Sequence, residues 1–312
     1  MRAAVLHEYG APSADDFREP SAGEGQAVLD VLAAGLNPVD VAICAGRFYA
    51  GKPPLPSVAG REGVGTLDDG ARVYFDAPVM PFGSMAQRAL IDPRATYAVP
   101  DGVGDGVAVA LGISGLAAWL GLTWRAQVQE GEHVLVLAAS GVLGQIAVQA
   151  AKLLGAGRVV AAARSHEGLE RCLALGADAA VSLGRSAQEL PDALREAAEG
   201  RIDVVLDPVF GEPFVAAVQA ASFGARIVQI GAGAGAEATV PSAPVRGKML
   251  VIMGHTNFAA PPEVKRDAYA RLAEAAAAGQ IDVEIDALAL EQVAEAWRRI
   301  EAGSHKKIVL VP

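Results

Sequence analysis

The apolar positions of this chain change their spacing twice. Up to about residue 100 they come in short alternating runs. QAVLDVLAA at 26–34 reads as a half-buried strand, and ARVYFDA and MAQRALI, within 71–100, read as further short strands between turns. Residues 35–65 are rich in Gly and Pro and place several polar residues in apolar surroundings. After residue 130 short apolar runs (HVLVLA, RVVAAA, AAVSL, DVVLD, ARIVQIG, MLVIMG) are separated by helical stretches such as VLGQIAVQAAKLLG and EGLERCLALGA. Strands alternating with helices in this way indicate βαβ units and a parallel sheet covered on both faces. Six such strands fit one doubly wound nucleotide-binding domain. Helical patterns at 263–278 and 291–302 and a closing strand, IVLV, at 308–311 complete the chain. The pattern therefore predicts an α/β protein. A doubly wound parallel-sheet domain at 116–255 is inserted into a β-rich domain made from residues 1–115 and 256–312.

One apolar run competes with this reading. GVAVALGISGLAAWLGLTW, residues 106–124, carries no charge and approaches the length of a membrane span. Three glycines and Ser114 interrupt it and no Lys/Arg cluster flanks it, so it is read as a buried, broken helix between the two domains. Composition agrees with a globular protein: 52% of residues are hydrophobic and 20% charged, enough for a large core. The net charge of −10 argues against nucleic acid or an anionic membrane as the main partner. The two cysteines, Cys44 and Cys172, are too few for a disulfide framework or a four-thiolate zinc site, and the five histidines form no HxxxH or HExxH pair. The first residues, MRAAVLHEYG, do not resemble a secretory signal, and a cytoplasmic location is expected.

The strongest motif is HVLVLAASGVLGQIAVQAAKLLGA at 133–156, a strand, a tight turn and a helix. In the turn Ser140-Gly141-Val142-Leu143-Gly144, Gly141 lets the backbone approach a pyrophosphate and Gly144 lets the helix pack close to the strand. The helix amino terminus offers unpaired N–H groups and the positive end of its dipole. The alternative is a strand-to-helix turn without a ligand. The end of the next strand bears on cofactor type. An NAD site places Asp or Glu there to bind the adenosine ribose, whereas this chain has Ala163, Arg164 and Ser165. A guanidinium in place of a carboxylate suits a 2′-phosphate and predicts NADP(H). Arg164 as an ordinary solvated arginine is the competing reading.

The AxxGxxG turn, LNPVDV at 36–41, AGREGVG at 59–65 and the closing AWRRIEAGSHKKIVLVP resemble the medium-chain dehydrogenase/reductase family over nearly the whole chain. The resemblance implies a GroES-like β-rich catalytic domain beside a Rossmann domain. It also implies hydride transfer between a nicotinamide cofactor and a small-molecule electron acceptor, and a homodimer joined through the strand around Met249–Met253. In zinc-dependent members a Cys stands at the position of Asn37, a His at that of Arg61 and a third ligand near Ile113. All three are missing here, so no metal is expected. The sequence is closer to the zinc-free quinone oxidoreductase branch. There the Asn37–Asp40 stretch lines the nicotinamide pocket, and the backbone around Gly231, Ala232, His255 and Asn257 lies beside the nicotinamide. Val142 departs from that branch's usual turn, and Ala42 from an aromatic that often follows its NPVD stretch.

Without a Lewis acid, a conjugated acceptor is favoured over a simple alcohol, because the negative charge spreads onto a conjugated oxygen. Candidate catalytic residues are Asn37, Asp40, Tyr49 and His255. Asn37 either donates to substrate or ribose, or caps the turn before Pro38. Asp40 either orients water or caps a helix. Tyr49 is a proton donor or a pocket-lining aromatic. His255 is the acid of suitable pKa range or a pocket-edge imidazole. Arg61 and Glu62 are expected in the vacated metal cavity or in structural pairs. Reduction of quinones or α,β-unsaturated carbonyl compounds leads. A 2-enoyl thioester reductase and a non-catalytic nucleotide-binding sensor remain as alternatives.

Overall fold

The structure, a computed structural model, describes all 312 residues and divides into two compact units. Unit 1 comprises Met1–Ser114, Pro262–Gly279 and Val283–Pro312, and unit 2 comprises Gly115–Pro261 with Gln280–Asp282. The boundary at Ser114/Gly115 lies one residue before the one expected from sequence, and that at 261/262 lies six residues beyond it.

Unit 1 holds strands β1 (Arg2–Leu6), β2 (Ser13–Asp16), β3 (Ala27–Gly35), β4 (Ser57–Val58), β5 (Glu62–Thr66), β6 (Arg72–Phe75), β7 (Arg88–Ile91) and β8 (Thr96–Ala98). Two strands from the end of the chain, Ile285–Ala289 and Lys307–Val311, join it. Lys307–Val311 pairs antiparallel with β3, so the last strand enters the sheet beside the first long one. The sheet continues from β3 through β5 and β6 to β8, with β7 also on β3. A three-stranded sheet, β2-β1-β4, stands apart. β3 alternates from Leu29 to Ala33 and is then buried through Gly35, while β5 carries Gly63 and Gly65 where inward or outward side chains would reveal a strand.

Unit 2 is a six-stranded parallel sheet: β9 (His133–Leu137), β10 (Arg158–Ala163), β11 (Ala179–Ser182), β12 (Val204–Asp207), β13 (Arg226–Gln229) and β14 (Val251–Gly254). The order is β11-β10-β9-β12-β13-β14, with the direction of winding reversing at β9. Most of the inner strands are buried along their length, which is why their sequences read as continuous apolar runs. The fold is the expected one: a Rossmann sheet in one unit and a β-rich partner in the other.

The helix Asp105–Arg125 passes from unit 1 into unit 2. It is long and apolar enough to cross a membrane, yet 72% of its most apolar window is buried within the molecule. It is broken at Gly112, whose ψ of −116° leaves the helical region. A Cβ on Gly112 would lie 2.2 Å from the Tyr74 ring, so glycine here lets the phenol pass against the helix backbone.

Candidate active site

In unit 2, strand β9 ends at Leu137 and the chain turns through Ala138, whose φ of +48° is left-handed. Gly141 precedes the helix Val142–Leu153 in extended conformation. A Cβ on Gly144 would lie 2.4 Å from Ala139 Cα and 2.7 Å from the Ala138 carbonyl oxygen, so only glycine lets this helix abut the turn. Space above Gly141 is open, with no atom closer to such a Cβ than 3.6 Å. Ser140 is buried, its carbonyl accepting a 2.8 Å bond from Gln145 Nε2, and Val142 and Leu143 are half-buried on the first turn.

At the end of β10, Ala163 is buried and Arg164 is exposed and pairs with no carboxylate. Ser165 caps the helix His166–Ala174 by accepting the Gly168 N–H at 3.1 Å, which leaves its own O–H free to donate. The first acid, Glu167, lies on the first turn of that helix and is exposed.

The ends of β12, β13 and β14 stand in register, Asp207 opposite Gln229 and Gln229 opposite Gly254. Gln229 Nε2 holds the Gly231 carbonyl at 2.7 Å, and Ala232 is exposed. Asp207 Oδ1 accepts the Val209 and Phe210 N–H groups, while Oδ2 is buried with no partner, and burial pushes this carboxyl up to about 6. His255 is 7% exposed. Its Nε2 lies 2.9 Å from Asn257 Oδ1 and its ring meets Trp124 edge-on. Burial, then the charge of Arg125, lowers its pKa below the usual imidazole value, so the ring is neutral near pH 7.

In unit 1 a different kind of site forms. Asn37 precedes the helix Pro38–Cys44, and Asp40 reaches back to accept the Asn37 N–H at 2.8 Å. The Asn37 amide donates to Asp40 Oδ2 (3.2 Å) and Glu62 Oε1 (2.8 Å), and its oxygen accepts from Lys307 Nζ (2.6 Å) and Ser114 Oγ (3.4 Å). Glu62 receives four donors: Asn37 and Lys307 (2.6 Å) on one oxygen, and Tyr74 O–H (2.7 Å) and the Ile113 N–H (2.6 Å) on the other. Glu62 and Lys307 are 0% and 2% exposed as side chains. Asp40 also accepts the Arg61 N–H at 3.1 Å. Burial, then repulsion from Glu62, raises its carboxyl to about 6 against the opposing pull of the Asn37 bonds and the Lys307 charge.

Beside this cluster lies a cavity of about 270 Å³ lined by Leu6, Ile43, Phe48, Val58 and Met80, with Asp40 and Ser57 among its polar walls. Tyr49 does not line it: its phenol is 75% exposed and its ring rests on Phe48 at 4.4 Å. The structure thus joins Asn37, Asp40 and Glu62 in one cluster in unit 1, while His255 and Asn257 belong to unit 2. The hub, Lys307, escaped the sequence reading as a site residue. It shows only as part of a Lys-Lys pair at the chain's end, 270 residues from Asn37.

The profile of the zinc-binding dehydrogenase family matches residues 142–275. The quinone oxidoreductase-like protein 2 of Mus musculus is 32% identical, across 81% of this chain and 74% of its own length. A chloroplastic NADPH-dependent alkenal/one oxidoreductase of Arabidopsis thaliana is 30% identical over 67% of this chain and 57% of its own length. Among solved structures, the quinone oxidoreductase of Thermus thermophilus, also solved with NADPH, superposes with a TM-score of 0.83 and 31% identity, covering 100% of both chains.

A zinc ion, implied by the name of the matched family, does not fit the donors present. The matched segment begins at the glycine turn and excludes Asn37, Glu62 and their neighbours. Both Asn37 amide hydrogens point at carboxylates, and an ammonium already sits on Glu62. The one thiol nearby, Cys44, is held protonated because burial, then the Asp40 charge, pushes it up to about 12. No three His, Cys, Asp or Glu side chains converge anywhere in the chain. With the parallel sheet, the glycine turn and full-length likeness to such enzymes in hand, the chain belongs to the quinone oxidoreductase-like branch of the medium-chain dehydrogenase/reductase family.

Proposed function

We propose that the protein is an NADPH-dependent reductase of quinones or α,β-unsaturated carbonyl compounds that works without zinc. The observation that carries this reading is the Lys307 ammonium against Glu62 and Asn37. A fixed cation there leaves a divalent ion neither charge nor ligands. Without a Lewis acid, an acceptor must delocalise its own developing negative charge, as quinones and enones do.

The unit 2 strand ends fit a dinucleotide phosphate. Gly141 leaves the helix amino terminus open, Gly144 closes the helix onto the turn, and the exposed Arg164 and the Ser165 O–H at the end of β10 are donors suited to a 2′-phosphate. Ser140, Val142 and Leu143 shape the turn, and Gly231, Ala232 and Asn257 lie at strand ends on the other half of the sheet. When bound, the dinucleotide supplies the hydride. Asp40 lines the unit 1 cavity, and Asn37, whose side-chain polar atoms are all engaged, holds that carboxylate in place rather than donating to substrate. His255, neutral and bonded to Asn257, orients that asparagine rather than acting as the acid. Tyr49 has no place in this scheme.

The test is NADPH and NADH oxidation against a panel of quinones, enones and simple alcohols, with elemental analysis of the purified protein. NADPH consumption with conjugated acceptors and no stoichiometric zinc is expected. Faster turnover of a secondary alcohol than of any enone, or one tightly held zinc per chain, overturns the reading.

A further inference from the structure

Ser57 lies in β4, paired with Leu6 of β1, and its side chain is buried. Its hydroxyl has no hydrogen-bond partner. Buried polar groups are nearly always paired, so an unpaired one on the wall of a cavity indicates where a ligand group belongs. The cavity is the one of about 270 Å³ described above, room for a one- or two-ring molecule, and most of its lining is apolar.

The other polar walls do not offer an uncharged O–H. Both Asp40 oxygens are taken by N–H donors, so this carboxylate presents acceptors that a carbonyl oxygen avoids. Lys52 is exposed at the rim, its ammonium 5.3 Å from the Tyr9 ring. The Cys44 thiol is a weak donor, and Arg61, which also lines the cavity, offers a charged guanidinium rather than a neutral O–H. Ser57 is the buried neutral hydroxyl on the wall, and it lacks an acceptor.

We propose that Ser57 is a substrate-positioning residue: its hydroxyl donates a hydrogen bond to the carbonyl oxygen of a neutral conjugated acceptor bound in the unit 1 cavity. This rests on the reductase reading above. A donor at that oxygen helps most when negative charge collects there, so its effect falls on turnover as well as on binding.

The test compares wild type with Ser57→Ala, Ser57→Cys and Ser57→Thr, using 1,4-naphthoquinone and NADPH. Readouts are kcat/KM, naphthoquinone affinity by calorimetry without cofactor, the NADPH dissociation constant and Tm. Losing one neutral hydrogen bond predicts a fall in kcat/KM of about tenfold for Ser57→Ala. The Cys variant should fall in between, and Thr, which keeps the hydroxyl, should stay near wild type. Tm of Ser57→Ala should hold or rise, because an unpaired buried hydroxyl is removed, and NADPH affinity should not move. The proposal is overturned if Ala and Cys match wild type in kcat/KM and naphthoquinone affinity. It is equally overturned if Ser57→Ala fails to fold or loses Tm with activity, which marks a structural hydroxyl. A wild type that reduces no conjugated acceptor with NADPH is a separate result, and it sinks the reductase reading itself.

Discussion

Replacing Lys307 by Met tests the buried cluster directly. The substitution removes the ammonium 2.6 Å from both Glu62 Oε1 and Asn37 Oδ1 and leaves a carboxylate with no exposed surface facing a methyl group. Breaking a buried ion pair from one side costs about 3–5 kcal/mol, because the remaining charge keeps its desolvation penalty. For a chain of 312 residues, whose unfolding entropy is about 0.65 kcal/mol/K, that corresponds to a fall in Tm of roughly 5–8 °C. The sign of the pH dependence follows. Asp40, raised to about 6 by burial and the Glu62 charge, loses the opposing pull of the ammonium in the variant, so its carboxyl holds a proton to a still higher pH than in the unfolded chain. The deficit should therefore be largest near pH 8 and shrink toward pH 5. A double-mutant cycle with Glu62→Gln, read by urea titration at pH 7.5, isolates the pair. The double variant should be more stable than the sum of the single losses implies by at least about 2 kcal/mol. A loss below about 1 kcal/mol for Lys307→Met, or strict additivity in the cycle, would refute the claim that the ammonium is the fixed cation of unit 1.

Three further outcomes are expected. Arg164→Ala should weaken NADPH binding about tenfold at low salt, NADH binding far less, with the difference shrinking as ionic strength rises because the guanidinium is exposed; equal weakening of both cofactors makes Arg164 a bystander. Asp207, its carboxyl raised to about 6 by burial, stabilises the fold below its unfolded pKa and loses that contribution as pH rises through about 6. Asp207→Asn keeps the oxygen that accepts from Val209 and Phe210, so its melts should flatten between pH 5 and 7 and gain about 1–3 kcal/mol at pH 7.5; an unchanged pH profile contradicts this. Strand β14 ends the unit 2 sheet with Val251 and Ile252 at 49% and 41% exposure, and Met249 just before it is 65% exposed, an apolar edge that a second copy would cover. Light scattering should report a dimer, and Ile252→Lys should shift it toward monomer.

What the sequence by itself determined is the part of the protein written in local spacing. Period-two strands, apolar parallel strands and the Gly141–Gly144 turn each depend on neighbours within a few residues, so the Rossmann unit and its βαβ order were legible, as was the missing acid after Ala163. The helix at 105–125 was readable as buried because its glycines and Ser114 break an otherwise membrane-like run. β5 was not legible, since Gly63 and Gly65 erase the alternation that marks a strand. The cluster around Glu62 was only half visible. Asn37, Asp40 and Glu62 stand in motifs, but Tyr74 and Lys307 are single residues in ordinary strands. Their roles arise because the last strand pairs with β3 and because Gly112 admits the Tyr74 ring. Likewise nothing local marks Ser57 or Asp207 as polar atoms without partners, for satisfaction of a buried group is a property of everything packed around it. Spacing along the chain encodes which elements form, whereas charge pairing and burial depend on which distant elements meet, and only the tertiary structure decides that.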